Sequence, residues 1–313
     1  MNQSSKYIYP LFTQSWFYAF WKFSRPHTIV GTSLSVLGLY LTTIGVTSTN
    51  FAHVQVVQVL SAWISCLCGN IYIVGLNQLE DIEIDKINKP DLPLASGEFT
   101  QSQGKIIVIV SGVLALVLAW LSGPFLFGMV AISLAIGTAY SLPPIRLKQF
   151  PVLAALCIFS VRGTIVNLGL FWHFNWLWRR SLDTPMAIWL LTAFILLFTS
   201  AIAIFKDIPD LEGDRLYNIT TFTIQIGQRA VFNIALWILT VCYLGMIVVG
   251  AFHLAKVNSL FLITTHLIGL ILLWWRSRAV ELDSKSPIAQ FYQFIWKLFF
   301  LEYLTFPLAC LLP

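Results

Sequence analysis

The chain has 313 residues, of which 58% are hydrophobic and 11% charged, and its mean hydropathy is +0.78. A soluble domain is about 25% charged, so a soluble enzyme, a disordered chain and a secreted disulfide scaffold are all excluded. A polytopic membrane protein remains. The formal charge of +5 is not a nucleic-acid signal, because excess Lys and Arg in such a protein mark cytoplasmic loops.

The first 15 residues read as a short tail ahead of one membrane-embedded domain covering 1–313. They lack the apolar centre of a signal peptide and are too short for a transit peptide. Arg25 to Glu80 then encloses 54 uncharged residues and Lys105 to Arg146 encloses 40. A membrane helix needs about 20 residues, so each gap holds two. Thr42–Asn50 is expected to interrupt the first gap and Ser122-Gly123-Pro124 the second. Further spans are predicted near 150–172, 186–205, 230–252, 257–275 and 289–311, which makes nine. With the N-terminus on one side, that side receives 14 of the 19 basic residues, and the other receives Arg179, Arg180 and Lys256. The bias makes the N-terminal side cytoplasmic. The five cysteines all fall within spans and read as apolar filler.

Twelve of the 14 acids share the N-terminal side. Glu80, Asp81, Glu83 and Asp85 follow the second span, and Asp207, Asp210, Glu212 and Asp214 follow the sixth. Asn77, Asp81 and Asp85 are spaced i, i+4, i+8. On a continuing helix they form one stripe of oxygen ligands. Asp207, Asp210 and Asp214, at i, i+3, i+7, repeat the pattern. Hard divalent cations take oxygen ligands, and Mg2+ needs only one or two carboxylates plus water and phosphate oxygens. Two such stripes on one membrane face suggest a clamp for Mg2+ and a diphosphate. Two solvated acidic loops are the plain alternative. The mouth of a divalent-cation transporter is a third reading, but it would place more acids deep in the spans, where Glu302 is nearly alone.

A diphosphate also needs cations. Lys206 precedes the second stripe, and Tyr140, Arg146 and Lys148 follow the fourth span on the same side. Arg25-Pro26-His27-Thr28 opens the first span, where Pro26 is expected to break the helix and free backbone groups for a pocket. Arg162 lies mid-span, where a charge is costly and functional by default. Its partner would be the diphosphate or an acidic substrate, with a structural pair to an acid as the alternative. His53, His173 and His253 are expected near the opposite face, and His266 in the core.

At these residues the chain resembles the UbiA superfamily of intramembrane prenyltransferases. The motifs are N-Q-L-E-D-I-E-I-D (77–85) and K-D-I-P-D-L-E-G-D (206–214). The segments S-R-P-H-T (24–28), I-N-K-P-x-L-P-L-A-x-G (87–97), Y-S-x-P-P-x-R-L-K (140–148), V-R-G-T-I-V-N-L-G (161–169) and 291–303 are similar to the homogentisate-prenylating branch found in cyanobacteria and plastids. The resemblance implies an all-α bundle of nine transmembrane helices with a central cavity opening at the cytoplasmic face. It implies Mg2+ on Asn77, Asp81, Asp85, Asp207, Asp210 and Asp214, with the five aspartates catalytic. Arg25, His27, Tyr140, Arg146, Lys148, Arg162, Asn167 and Lys206 would bind substrate. The usual first motif has Asp where Gln78 stands, so Gln78 is not carried over as a ligand. The implied reaction moves a prenyl group, phytyl, from its diphosphate to homogentisate with decarboxylation, in tocopherol (vitamin E) synthesis. A longer prenyl donor or another aromatic acceptor are alternatives. The implied partners are the two substrates and the bilayer, in a cyanobacterial membrane, with no nucleic acid and no obligate protein partner.

Overall fold

The computed structural model describes residues 14–49, 56–217, 220–282 and 284–312. Among them, nine helices are long and apolar enough to cross a membrane, and the chain is an integral multi-pass membrane protein. In chain order the helices are α1 (Gln14–Phe23), α2 (Pro26–Thr47), α3 (Val56–Glu80), α4 (Ile82–Asn88), α5 (Pro93–Ser96), α6 (Gln101–Ser122), α7 (Pro124–Ser141) and α8 (Pro151–Phe159). Six π-helical residues (Ser160–Ile165) join α8 to α9 (Val166–Arg179). Then come α10 (Met186–Phe205), α11 (Leu211–Leu216), α12 (Phe222–Ile226), α13 (Gln228–Ala251), α14 (Ser259–Ser277) and α15 (Lys285–Leu311). The spans are α2, α3, α6, α7, α8–α9 as one unit, α10, α13, α14 and α15. Large apolar side chains such as Trp120, Phe252 and Trp275 are exposed on the outside, as a surface in contact with lipid requires.

Helix ends follow local chemistry. Thr100 and Gln103 form a reciprocal capping box that starts α6, satisfying otherwise orphaned N–H groups. Gly123, at φ 133°, breaks the chain between α6 and α7, and Pro124 occupies the first turn of α7. The expected interruption at Thr42–Asn50 begins later than predicted, because α2 runs to Thr47. The hydroxyls of Thr42, Thr43 and Thr47 donate to the carbonyls of Gly38, Leu39 and Thr43, at 2.7, 2.6 and 2.6 Å. A polar run is thereby accommodated inside a membrane helix. The fifth span is longer than predicted, reaching Arg179. The sequence also missed α1. It carries Phe17, Tyr18 and Trp21 exposed on one side and buries Ala19 and Phe23 on the other.

The loops sort into two ends. Lys22 pairs with Glu98, Lys89 with Asp210, Lys148 with Asp81 and Lys285 with Glu212. These contacts collect the α1, α3–α6, α7–α8, α10–α13 and α14–α15 connections at one end. At the other, the Lys256 Nζ meets the Ser48 Oγ at 2.8 Å and the Trp178 Nε1 donates to Gln58 at 3.0 Å. The alternation required by nine spans is therefore met. His253 is exposed at that second end, and His173, in α9, is buried against Phe174. His53 lies outside the described residues.

α2 and α15 pack closely because Gly38 and Gly45 face them. A Cβ at Gly45 would stand 2.5 Å from the Cys310 carbonyl oxygen. Small residues at such crossings let backbones approach where no hydrophobic drive separates helix from lipid. Gly45→Ala should therefore cost about 1–3 kcal/mol through overpacking and lower the thermal midpoint in detergent. Gly128→Ala, where a Cβ meets nothing within 4 Å, should leave the midpoint unchanged.

Candidate functional site

One face of α3 opens onto a central cavity of about 340 Å3. Cys66, Gly69, Asn70, Ile73, Val74, Asn77 and Asp81 line it in turn. This is the three-to-four spacing of a single helix stripe. From residue 66 to 81 the stripe runs about 22 Å at 1.5 Å per residue, a large part of the about 30 Å hydrocarbon thickness. The deep wall is apolar, with Val36, Met129, Val130 and Leu134, and the charged groups gather at the other end. Cys66 belongs to the wall and Cys68 does not, as positions two apart on a helix require. All five cysteines are free.

The first acidic segment does not continue α3. The helix breaks at Asp81 (φ −115°, ψ 20°) and resumes as α4. Asn77 bridges the break. Its Oδ1 accepts from the Arg25 Nη2 at 3.2 Å, and its Nδ2 donates to the Asp81 Oδ2 at 2.9 Å. Asp81 also receives the Lys148 Nζ at 2.5 Å and the Arg146 Nη2 at 3.2 Å. Arg25 itself sits between α1 and α2 at φ 53°, with Pro26 starting α2, so the expected break is present. The second acidic segment is likewise not one helix. Residues 206–210 form turns before α11. In both segments the acids on the far side of the break still sit one helical turn apart, with the Asp85 N–H donating to the Asp81 carbonyl at 2.7 Å and the Asp214 N–H to the Asp210 carbonyl at 3.2 Å.

Even so, the two segments face each other. The Lys89 Nζ reaches the Asp210 Oδ2 at 2.5 Å, and the Gly213 N–H donates to the Asn88 Oδ1 at 2.9 Å. A Cβ at Gly213 would meet Asn88 at 2.5 Å, so the approach depends on glycine. The Lys206 Nζ lies 2.8 Å from the Asp207 Oδ1, with Tyr140 close by. Burial opposes the Lys206 ammonium, but Asp207 and Tyr140 outweigh it and hold its pKa well above the usual lysine value. Burial, reinforced by Asp210 and Asp207, pushes the Asp214 carboxyl up to about 7. Burial likewise raises Asp85 against the pull of Arg25 and Lys89. The Asp85 Oδ2 is buried with no hydrogen-bond partner.

Of the residues singled out in the sequence, Arg25, His27, Asn77, Asp81, Asp85, Tyr140, Lys148, Arg162, Lys206, Asp207, Asp210 and Asp214 line this cavity. Arg146 stands behind the wall and acts on Asp81. Asn167, named with the substrate-binding set, does not line the cavity. It is fully buried, donates to the carbonyls of Arg162 and Gly163 at 2.9 and 2.6 Å, and accepts from the Tyr303 hydroxyl at 3.0 Å. Every polar group of its side chain is thus engaged in holding the π-helical stretch. Sequence reading missed Lys89, Asn70, Tyr292 and Trp296. For Lys89 the signal was available, since it lies in the 87–97 segment, but its partner Asp210 is 121 positions away.

Gln78 faces away from the cavity. Its Nε2 donates to the Phe23 carbonyl at 2.7 Å and the Val74 carbonyl at 3.2 Å, tying α3 to the end of α1. A carboxylate at this position has no proton to donate there. Gln78→Leu should leave the Phe23 carbonyl unpaired, at a cost of about 1–3 kcal/mol. Limited proteolysis should then cut α1 faster, while Mg2+–pyrophosphate binding stays within about twofold of wild type.

Comparison with known proteins agrees with this geometry. A profile described as the UbiA prenyltransferase family matches residues 33–298. The chain belongs to the UbiA prenyltransferase family. It is 57% identical to the homogentisate phytyltransferase of Synechocystis sp. over 94% of this chain and 96% of that protein. It is 42% identical to the chloroplastic homogentisate phytyltransferase 1 of Arabidopsis thaliana over 92% and 74%. Among solved structures, a UbiA homologue from Archaeoglobus fulgidus bound to GPP and Mg2+ superposes with a TM-score of 0.66 at 18% identity, covering 94% of this chain and 99% of that one.

Proposed function

We propose that this protein is a single-domain enzyme that transfers a phytyl group from its diphosphate to homogentisate with loss of carbon dioxide, at the step that forms a tocopherol precursor. The observation that carries this reading is the pair of facing carboxylate segments, interleaved with cations, at the mouth of an apolar cavity. The 57% identity to the Synechocystis enzyme supports the donor and acceptor. It also suggests a cyanobacterial membrane. The charge bias of the loops supports a mouth on the cytoplasmic face with the N-terminus on the same side.

The donor set suits Mg2+. Asp85 offers a buried, unpartnered oxygen, and Asp214 is pushed towards neutrality by burial first and then by Asp210 and Asp207, as suits carboxylates that a divalent cation would compensate. Among the described residues no three His, Cys, Asp or Glu side chains are already gathered as a metal cage. That fits an ion completed by phosphate oxygens and water. Asn77, Asp81, Asp85, Asp207, Asp210 and Asp214 would hold it, and when bound it would neutralise charge on the departing diphosphate.

The chain's own cations do the rest at that end. Arg25, Lys89, Lys148 and Lys206 stand beside the carboxylates and are positioned to turn to the diphosphate, as preorganised electrostatic stabilisation. The allylic C–O bond breaks with its electron pair leaving on the diphosphate. A ring carbon of the acceptor attacks the allylic carbon and then loses its proton; the bond between the acetate CH2 and its carboxylate breaks, carbon dioxide leaves, and the CH2 carbon keeps the electron pair and takes up a proton to become a methyl group. The apolar wall holds the prenyl tail, which gains about 0.8 kcal/mol per buried CH2, and keeps water from the cation. The cation-transporter reading loses its support. The one acid deep in the described spans, Glu302, is buried 3.1 Å from His266 and does not line the cavity.

Purified protein with Mg2+, phytyl diphosphate and homogentisate should release diphosphate and carbon dioxide, and should prefer phytyl over geranylgeranyl and solanesyl donors. Absence of turnover across a donor and acceptor panel would overturn the reading. Asp81→Asn and Asp210→Asn should each lower turnover by at least about 100-fold, in line with the loss of a principal electrostatic group, while folded protein is still recovered from the membrane, with a lowered thermal midpoint because each change breaks an ion pair between loops. Near-normal rates in both variants would remove the clamp.

A further inference from the structure

The cavity contains a second cationic spot that the carboxylate clamp does not use. Arg162 lines the wall from the π-helical stretch in the fifth span. Its guanidinium lies over two rings, 5.1 Å from the Trp296 centroid and 5.8 Å from that of Phe299. Among the described residues no carboxylate lies within ion-pair distance of it. The charged groups of the clamp pair with one another, whereas the ionisable neighbours of Arg162 are Tyr303, Tyr292 and His27, of which Tyr292 and His27 also lie within electrostatic reach of Arg25. The His27 ring packs on the same Trp296 at 5.0 Å. Gly31, one turn beyond His27 on α2, leaves room for the guanidinium, because a Cβ there would stand 3.2 Å from the Arg162 Nη1.

A cation in a low-dielectric cavity calls for an anion. Stacking on aromatic faces compensates it only in part and leaves the fork of N–H donors free for a planar bidentate partner. The diphosphate already has Arg25, Lys89, Lys148 and Lys206 at the mouth. Arg162 therefore has the chemistry for a separate monoanion on a flat molecule.

We propose that Arg162, with Trp296 and His27 beside it, forms the acceptor seat. Arg162 holds the carboxylate of an acidic aromatic substrate, and the two rings pack against its ring. This rests on the prenyl-transfer reading above and decides between the two partners open to Arg162, the diphosphate and an acidic substrate. It makes Arg162 a determinant of acceptor choice rather than of donor binding.

The test measures Arg162→Met, Arg162→Lys and Gly31→Ala beside wild type. Homogentisate and its methyl ester are the acceptors, and Mg2+–pyrophosphate binding is measured separately by calorimetry. Arg162→Met should raise the KM for homogentisate at least tenfold and abolish the preference for the acid over the ester. The donor KM and pyrophosphate affinity should stay within about twofold. Arg162→Lys should recover part of the loss, and Gly31→Ala should shift acceptor KM in the same direction. A rise in donor KM or a loss of pyrophosphate binding, with acceptor KM unchanged, would assign Arg162 to the diphosphate and overturn the proposal. Unchanged parameters throughout would overturn it too. If wild type ignores homogentisate but uses another carboxylate-bearing aromatic, and Arg162→Met loses it, the acceptor seat stands and the homogentisate reading falls. Wild-type use of uncharged acceptors alone would overturn both.

Discussion

Ionic groups gathered at the edge of a lipid-facing bundle must neutralise one another, and the rest of the site follows from that requirement. An isolated charge in such surroundings is expensive. Each acidic segment therefore meets a cation from elsewhere in the chain. Lys148, after α7, serves Asp81, and Lys89, after α4, serves Asp210. These pairs cross between connections that are far apart in sequence, so the same contacts that hold the charges also fasten the loops over the cavity. Compensation remains incomplete at Asp85 and Asp214. Such a mouth is suited to receive a divalent cation along with a polyanion. The site's chemistry and the packing of its loops are thus one arrangement.

How much of this was legible in the sequence depends on the range of the interaction. Helix number followed from uncharged lengths, because the bilayer sets the length of a span. The cavity-lining stripe Asn77–Asp81 followed from helical periodicity. Asp85 and Asp214 were identified as site residues, but the breaks at Asp81 and before α11 were not. Thr42, Thr43 and Thr47 looked like a loop because their polarity is visible in sequence and their bonds back to carbonyls are not. Lys89, Tyr292 and Trp296 needed tertiary contacts to acquire meaning. α1 was missed because its apolar face is short and is fixed from outside, by Gln78.

The Gln78 contact separates family pattern from local physics. A change from the usual acid to an amide looks like a lost metal ligand. In the fold, position 78 points away from the clamp, and the amide supplies the one thing a carboxylate lacks, a donor for the Phe23 carbonyl. The cavity-lining stripe of α3 therefore ends at Asn77, next to the break at Asp81, while the neighbouring Gln78 secures the helix that precedes Arg25.

The side chains around Arg162 account for a guanidinium that stays without an anion. Glu302, the acid in the same helix as Trp296, is drawn away by His266 at 3.1 Å. The Tyr303 hydroxyl is turned to Asn167, and Asn167 spends its amide on the carbonyls of Arg162 and Gly163. A π-helical stretch re-aims its side chains at a cost in backbone hydrogen bonding, and here the Asn167 amide offsets that cost. The nearby acid that could have neutralised Arg162 is thus paired with His266, and the Tyr303 hydroxyl and Asn167 amide are engaged with each other and with backbone. The result is a wall that holds the Arg162 cation towards the cavity with no carboxylate paired to it among the described residues, while Arg25 and Lys89 at the mouth stand among carboxylates. Two anion-binding regions of different character in one apolar chamber are what joining a diphosphate to an acidic ring requires. Each substrate then enters with its own counter-charge in place and neither competes for the other's.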